Sequence, residues 1–286
     1  MIKKKFGMNP IAFSYDWGMV TDIGRRNQAR VTGKLGVEQV IRTENLIRKR
    51  RFLKKNVEAW TKRPHLGMVP LFIAGDKFAM DIARNLRKEL NIPLVIYCGG
   101  NELERTDFKS GFAGVKENNH RQRLFAFSVL NKIQLFCFYI SQYVKNPYYF
   151  NESIFENLLS FKSTFISKDD FLYLYHYLKW DENLINDTLT KEYNWESAKA
   201  SNNTWRIGDG HTCFINYIYH SVAGFSEYDA FRSQQVRKGI LNRKEALILS
   251  YNDNSPNIES LKEFSEVIGI NFEEIISKVN SIPKLY

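Results

Sequence analysis

Two short runs in this chain place chemistry-bearing side chains where a β-strand would hand over to a loop. The first, Tyr15-Asp16-Trp17-Gly18, closes the apolar run NPIAFSYDWG, Asn9 to Gly18. The second, CGGNELERTDFKSGFAG from Cys98 to Gly114, ends the β-branched run PLVIYCGGN that opens at Pro93. Ligands of open parallel α/β sheets bind at the carboxyl ends of strands, so both loops are candidate sites. The second gathers Asn101, Glu102, Glu104, Asp107 and Lys109 among glycines that include Gly100. Carboxylates and an amide there suit ribose or Mg²⁺, and a lysine suits phosphate. The plain alternative is an ordinary polar loop. A third run, TWRIGDG from Thr204 to Gly210, sets Arg206 and Asp209 among glycines ahead of the apolar stretch Cys213 to Val222. A helix start is a favourable place for an anion.

The usual catalytic signatures are missing. The five histidines form neither HExxH nor an HxH pair, no GxSxG elbow occurs, and GxxxxGK[ST] is absent. A metal site is therefore not expected, and no catalytic residue is assigned. His211 lies beside TWRIGDG and is a general-base candidate by position only; a core or surface histidine is its default reading.

The elements that would hold these loops follow from periodicity. A helix over Thr21 to Leu35, a strand at Val37 to Ile41 and a helix over Thr43 to Lys62 follow the first run. Helical spacing continues from Met68 to Leu90, and Pro93 then opens the next strand. Strand, helix, strand, helices, strand is the alternation of a parallel α/β sheet. A buried parallel strand normally has a neighbour on each side, and only MIKKKFG precedes the first one, so the chain is expected to begin within a fold. Leu124 to Val144 is long enough for a membrane span, but Asn131, Lys132, Gln134 and Gln142 interrupt it, which favours a buried or interface helix. Asn146 to Ile166 suggests a helical insertion or lid. Phe171 to Glu182 reads as an extended segment running into a helix capped by Asp181, Asn242 to Ser250 as a capped helix, and Ser260 to Asn280 as a helix pair broken at Gly269. Residues 1–115 are thus expected to form an incomplete nucleotide-binding α/β domain, 116–170 a helical aromatic-rich insertion, and 171–286 a mostly helical substrate or interface region.

The chain has 286 residues, 44% of them hydrophobic and 14% aromatic, enough for a sizeable core. Its formal charge of +10 is local: Met1 to Arg63 hold 16 Lys and Arg against 5 Asp and Glu, so the rest is close to neutral. The densest run, RKRRFLKK at Arg48 to Lys55, either attracts phosphate or nucleic acid or forms one solvated helix face. Helical spacing of the apolar residues around it favours the face. Three distant cysteines, Cys98, Cys137 and Cys213, suggest a reducing cytoplasm, and the N-terminus has no signal-peptide pattern.

Longer strings carry a resemblance. NPIAFSYDWGMVTDIGRRNQARVTGKLG, PHLGMVPLFIAGDK, NELERTDFKSGFAG, YNWESAKASNNTWRIGDG, VAGFSEYDAFRSQQVRKG and the terminal NSIPKLY, in that order, resemble the N-acetyl sugar amidotransferase group of the PP-loop ATP pyrophosphatases, the adenine nucleotide alpha-hydrolase-like superfamily. The resemblance spans nearly the whole chain. It implies a Rossmann-like parallel sheet with a helical insertion and a helical C-terminal region. It implies ATP and Mg²⁺ as cofactors, adenylation of an acetamido oxygen on a nucleotide-linked N-acetyl sugar, and displacement of AMP by ammonia from a separate glutaminase subunit. The setting would be lipopolysaccharide or O-antigen synthesis in the cytoplasm, without a transmembrane segment or nucleic-acid partner; an oligomer is compatible with it. By the same resemblance Tyr15, Asp16, Trp17 and Gly18 face the adenosine, Gly100, Asn101 and Glu102 the ribose, phosphate or metal, and Lys109, Arg206 and Asp209 the substrate. The group's SGGxDS-type loop, whose backbone N–H groups would hold pyrophosphate, and its cysteine-rich segment lie ahead of where this chain starts. The chain alone is expected to bind ATP poorly and to be weak or inactive. A non-catalytic scaffold that binds a glutaminase and a PP-loop RNA-modifying enzyme are the alternative readings.

Overall fold

A computed structural model describes residues 1–73, 77–99, 107–116, 127–168, 170–197 and 210–286. The order of elements is α1 (Ile2–Phe6), β1 (Ala12–Asp16), α2 (Asp22–Leu35), β2 (Gln39–Thr43), α3 (Leu46–Lys62), a 3₁₀ turn (Leu66–Ile73), α4 (Phe78–Glu89), β3 (Ile96–Tyr97), α5 (Asp107–Gly111), α6 (Val129–Lys145), α7 (Ile154–Phe161), a π turn (Lys162–Ile166), β4 (Leu172–Tyr173), α8 (Glu182–Tyr193), α9 (His211–Ala223), α10 (Glu227–Arg237), α11 (Arg243–Asp253), α12 (Ile258–Ile268) and α13 (Phe272–Ser281). The class is α/β with helix predominating.

Both strand pairings are parallel. β1 lies along β2 with Asp16 opposite Thr43, and β3 lies along β4 with Tyr97 opposite Tyr173. Among the described residues the two pairs form separate sheets. The strand after Pro93 therefore reaches across the chain to β4 and does not line up beside β1. β1 is half-buried, with only Asp16 fully covered, where the sequence pattern suggested a buried strand. β2 runs two residues beyond the expected end because Asn45, not Thr43, caps α3, accepting a bond from the Arg48 N–H at 3.0 Å. Thr21 caps α2 and Asp181 caps α8 in the same way. The expected single helix over Met68 to Leu90 is broken: Pro70, which has no N–H and crowds the preceding turn, sits in the 3₁₀ turn, and α4 starts only at Phe78.

One core dominates. Trp60 and Val57 of α3, Phe72 of the 3₁₀ turn, Tyr149, Phe214 and Ile218 of α9, Phe264 of α12 and Val279 of α13 share it, all essentially sealed from solvent. Phe214 stacks on Phe264 at 4.6 Å between ring centroids, and Trp60 stands edge-on to Phe72 at 5.7 Å. α9 runs along this core, so its first residue is fixed by packing on both sides. Among the described residues no helix is long and apolar enough to cross a membrane.

Candidate functional site

The turn after β1 is shaped by Asp16. Its Oδ1 accepts from the Gly18 N–H at 2.9 Å, and its Oδ2 accepts from Arg25 Nη2 at 2.8 Å and Nε at 3.3 Å. Arg25 also reaches Asp22 at 3.1 Å, so the first turn of α2 is tied to the end of β1. Gly18 adopts φ +100, where a side chain would be strained although a Cβ would meet only ordinary contacts on Leu46. Its carbonyl accepts from Arg50 Nε at 3.1 Å. This bonding turns the Trp17 ring toward the main core.

Trp17 meets His211, the first residue of α9, edge-on at 5.7 Å between ring centroids. Phe264 covers His211 from another side at 5.9 Å. His211 is 3% exposed, and among the described residues its Nε2 has no hydrogen-bond partner. Burial pushes its proton affinity well below the ordinary histidine value, and the charges of Lys109 and Lys77 push the same way. The imidazole is therefore neutral at physiological pH. A buried polar nitrogen of this kind calls for an explanation, and it shares that standing with seven other buried side-chain atoms among the described residues, Tyr219 Oη among them.

Lys109 of α5 pairs with Glu227, the first residue of α10, at 3.2 Å. Glu227 is itself bound to Asn216 of α9: the Asn216 Oδ1 accepts from the Glu227 N–H at 3.0 Å and its Nδ2 donates to the carboxylate at 3.3 Å. Ser226 caps α10 and its own N–H donates to Asp229 Oδ2 at 2.7 Å, which fixes the start of the helix that carries Glu227. Tyr219, one turn of α9 beyond Asn216, has a buried hydroxyl without a partner among the described residues.

The segment leading out of α8 is fastened to the same unit. Asn27 of α2, fully buried, donates to the Glu196 carbonyl and accepts from the Glu196 N–H, both at 2.9 Å. Arg26 grips the Glu196 carboxylate at 2.6 Å and Arg30 joins it. Those two guanidinium groups hold the Glu196 pKa down at about 2.

Of the residues expected from sequence, Trp17 contacts His211 and Lys109 acts on it electrostatically, with Asp16 and Gly18 setting the turn that holds Trp17. Tyr15 lies on β1 opposite Arg42. Gly100, Asn101, Glu102, Arg206 and Asp209 lie outside the described residues. Asp16 is expected to face adenosine, yet its oxygens serve the turn and Arg25. Sequence reasoning missed Arg25, Asn27, Glu196, Lys77 and Glu227. All five sit inside the strings that carry the resemblance, which was the available signal. The run RKRRFLKK is a helix face, as its spacing suggested, but a docked one. Arg48 and Lys49 pair with Glu156 at 3.3 and 2.5 Å, Arg51 and Lys55 with Glu152 at 2.8 and 2.7 Å, Lys54 bonds the Gly269 carbonyl, and Arg50 bonds Gly18.

No protein-family model matches the chain, and a comparison with curated proteins finds no match.

Proposed function

We propose that the chain is an ATP-using, AMP-forming amidotransferase-type protein that modifies an N-acetyl sugar in cytoplasmic synthesis of surface polysaccharide. On this reading the β1–α2–β2 unit is part of a Rossmann-like nucleotide-binding framework. The observation that carries it is the Trp17–His211 contact: Trp17 belongs to one of the six strings that carry the resemblance, Lys77 and Lys109 from two others act on the same imidazole electrostatically, and Lys109 is paired with Glu227 of a fourth.

The residues present suit an adenine nucleotide. Trp17 offers an aromatic surface, Lys77 and Lys109 offer positive charge for phosphate, and His211 Nε2 offers a buried polar atom in need of a partner. ATP, when bound, supplies the adenylyl group that makes an amide oxygen a good leaving group. The chain's own part is to hold this corner rigid through Asp16, Arg25 and Gly18, to keep water away with the aromatic wall of Trp17 and Phe264, and to offset phosphate charge with the two lysines. Asn101 and Glu102, with Mg²⁺, belong on the ribose and phosphate side of this proposal, and Arg206 and Asp209 on the sugar side. Ammonia would arrive from a glutaminase subunit.

Saturation-transfer NMR with ATP and Mg²⁺, which detects weak binding, tests the reading. Transfer to the adenine protons is expected for the wild type and should fall several-fold in Trp17→Ala. No transfer, or transfer untouched by that substitution, overturns the assignment.

A further inference from the structure

Helix α6 wears its apolar side outward. Its solvent-facing positions are Val129, Leu130, Ile133, Phe136, Cys137, Ile140 and Val144, interrupted only by Gln134 before the terminal Lys145. Leu130 is 77% exposed, and Ile133 and Ile140 about half. Leu135 and Gln142 point inward instead. A contiguous apolar stripe of this size on a surface helix marks a contact with another molecule.

The order of residues along the stripe says which molecule. Leu130 apart, whose counterpart Tyr143 turns inward to bond Asn157, the stripe reads Val, Ile, a central pair, Ile, Val from either end: Val129 and Val144, Ile133 and Ile140, and Phe136 and Cys137 lie at matched distances from the helix midpoint. A two-fold axis through that midpoint would set a second α6 antiparallel on the first. Valine would then meet valine, isoleucine meet isoleucine, and the phenylalanine fill the space left by the small cysteine. Two-fold interfaces require this self-complementarity, in which residue i meets j and j meets i. Charge agrees with it. The same register puts Lys132 opposite Ser141 and Lys145 opposite Ser128, whereas a parallel pairing would set Lys132 against its own copy. The area is of the right order. The stripe offers roughly 600 Å², about three quarters of the ~800 Å² per partner of a standard interface.

We infer that α6 is the two-fold interface of a homodimer, its occupant a second copy of this chain packed antiparallel about Phe136 and Cys137. This is independent of the nucleotide site.

Sedimentation velocity over micromolar concentrations should show a reversible monomer–dimer equilibrium. Ile133→Asp with Ile140→Asp should raise the dimer dissociation constant roughly a hundredfold or more while leaving the circular dichroism unchanged. Cys137 provides a check that does not rely on the charged variant folding. In Cys98→Ser with Cys213→Ser, a short bismaleimide should link two chains through Cys137. A chain that stays monomeric throughout, a dimer indifferent to both aspartates, or a dimer that resists linking at Cys137 overturns the inference.

Discussion

The indole of Trp17 stands edge-on to the imidazole of His211, with ring centroids 5.7 Å apart. This contact joins the corner that ends β1 to the first residue of α9, and so joins two parts of the chain that only tertiary packing brings together. One side of the pair is a turn held by Asp16. The other is a buried, neutral imidazole whose Nε2 has no partner among the described residues and on which Lys109 and Lys77 act electrostatically.

The state of His211 has a consequence for stability. Its proton affinity is lowered in the folded chain, so below its ordinary pKa of 6.5 the unfolded chain binds more protons than the folded one. Stability is full above that value and declines as pH falls below it, with a slope of at most ~1.4 kcal/mol per pH unit for one group. His65, lowered chiefly by burial and also by Lys145 and Arg63, adds a slope of the same sign. Urea denaturation from pH 7.5 to 5 should show the decline, and His211→Leu should remove part of it. An unchanged slope in that variant would mean His211 is not held neutral.

The turn after β1 depends on backbone conformation more than on space. Gly18→Ala should cost about 1–3 kcal/mol from φ alone. Asp16→Ala frees Arg25 and the Gly18 N–H, at a cost of about 1–3 kcal/mol. Both variants should bind adenine nucleotide more weakly than their residual stability explains, because Trp17 loses its fixed position. Thermal melts paired with adenine saturation transfer measure the two effects separately.

Lys49 is 1% exposed and bound to Glu156 at 2.5 Å. Removing one member leaves a buried charge without its partner, so Glu156→Gln should destabilise by about 3–5 kcal/mol. Lys49→Met combined with Glu156→Leu removes both charges and should recover much of that loss. A double-mutant cycle by chemical denaturation checks it, and additive losses would show that the pair is not coupled.

Local signals in the sequence carried far and long-range ones did not. Caps at Asp181 and Asn242 and the break at Gly269, whose φ is +70, were legible because each acts within one helical turn. The pairing of β3 with β4 was not, since a two-residue parallel ladder leaves no trace in either strand's own pattern. The length and composition of Leu124 to Val144 marked a buried or interface helix but did not say which of its residues face outward. The same limit applied to RKRRFLKK: its spacing showed a face, while the acids it docks on, Glu152 and Glu156, come from a distant segment. At the candidate site, the sequence pointed to the loops that hold Trp17 and Lys109, whereas the Asn27 side chain bonds the Glu196 backbone across the chain, a pairing that no spacing rule describes.

The most direct test of the account is to find where an adenine ring lands. Photolabelling with 8-azido-ATP and Mg²⁺, followed by peptide mapping, should modify the peptide containing Tyr15 to Gly18 or the one beginning at His211, and excess ATP should suppress the label. Label confined to peptides remote from both, or label that ATP does not compete away, would contradict the claim that the β1 corner and the start of α9 together form a nucleotide site.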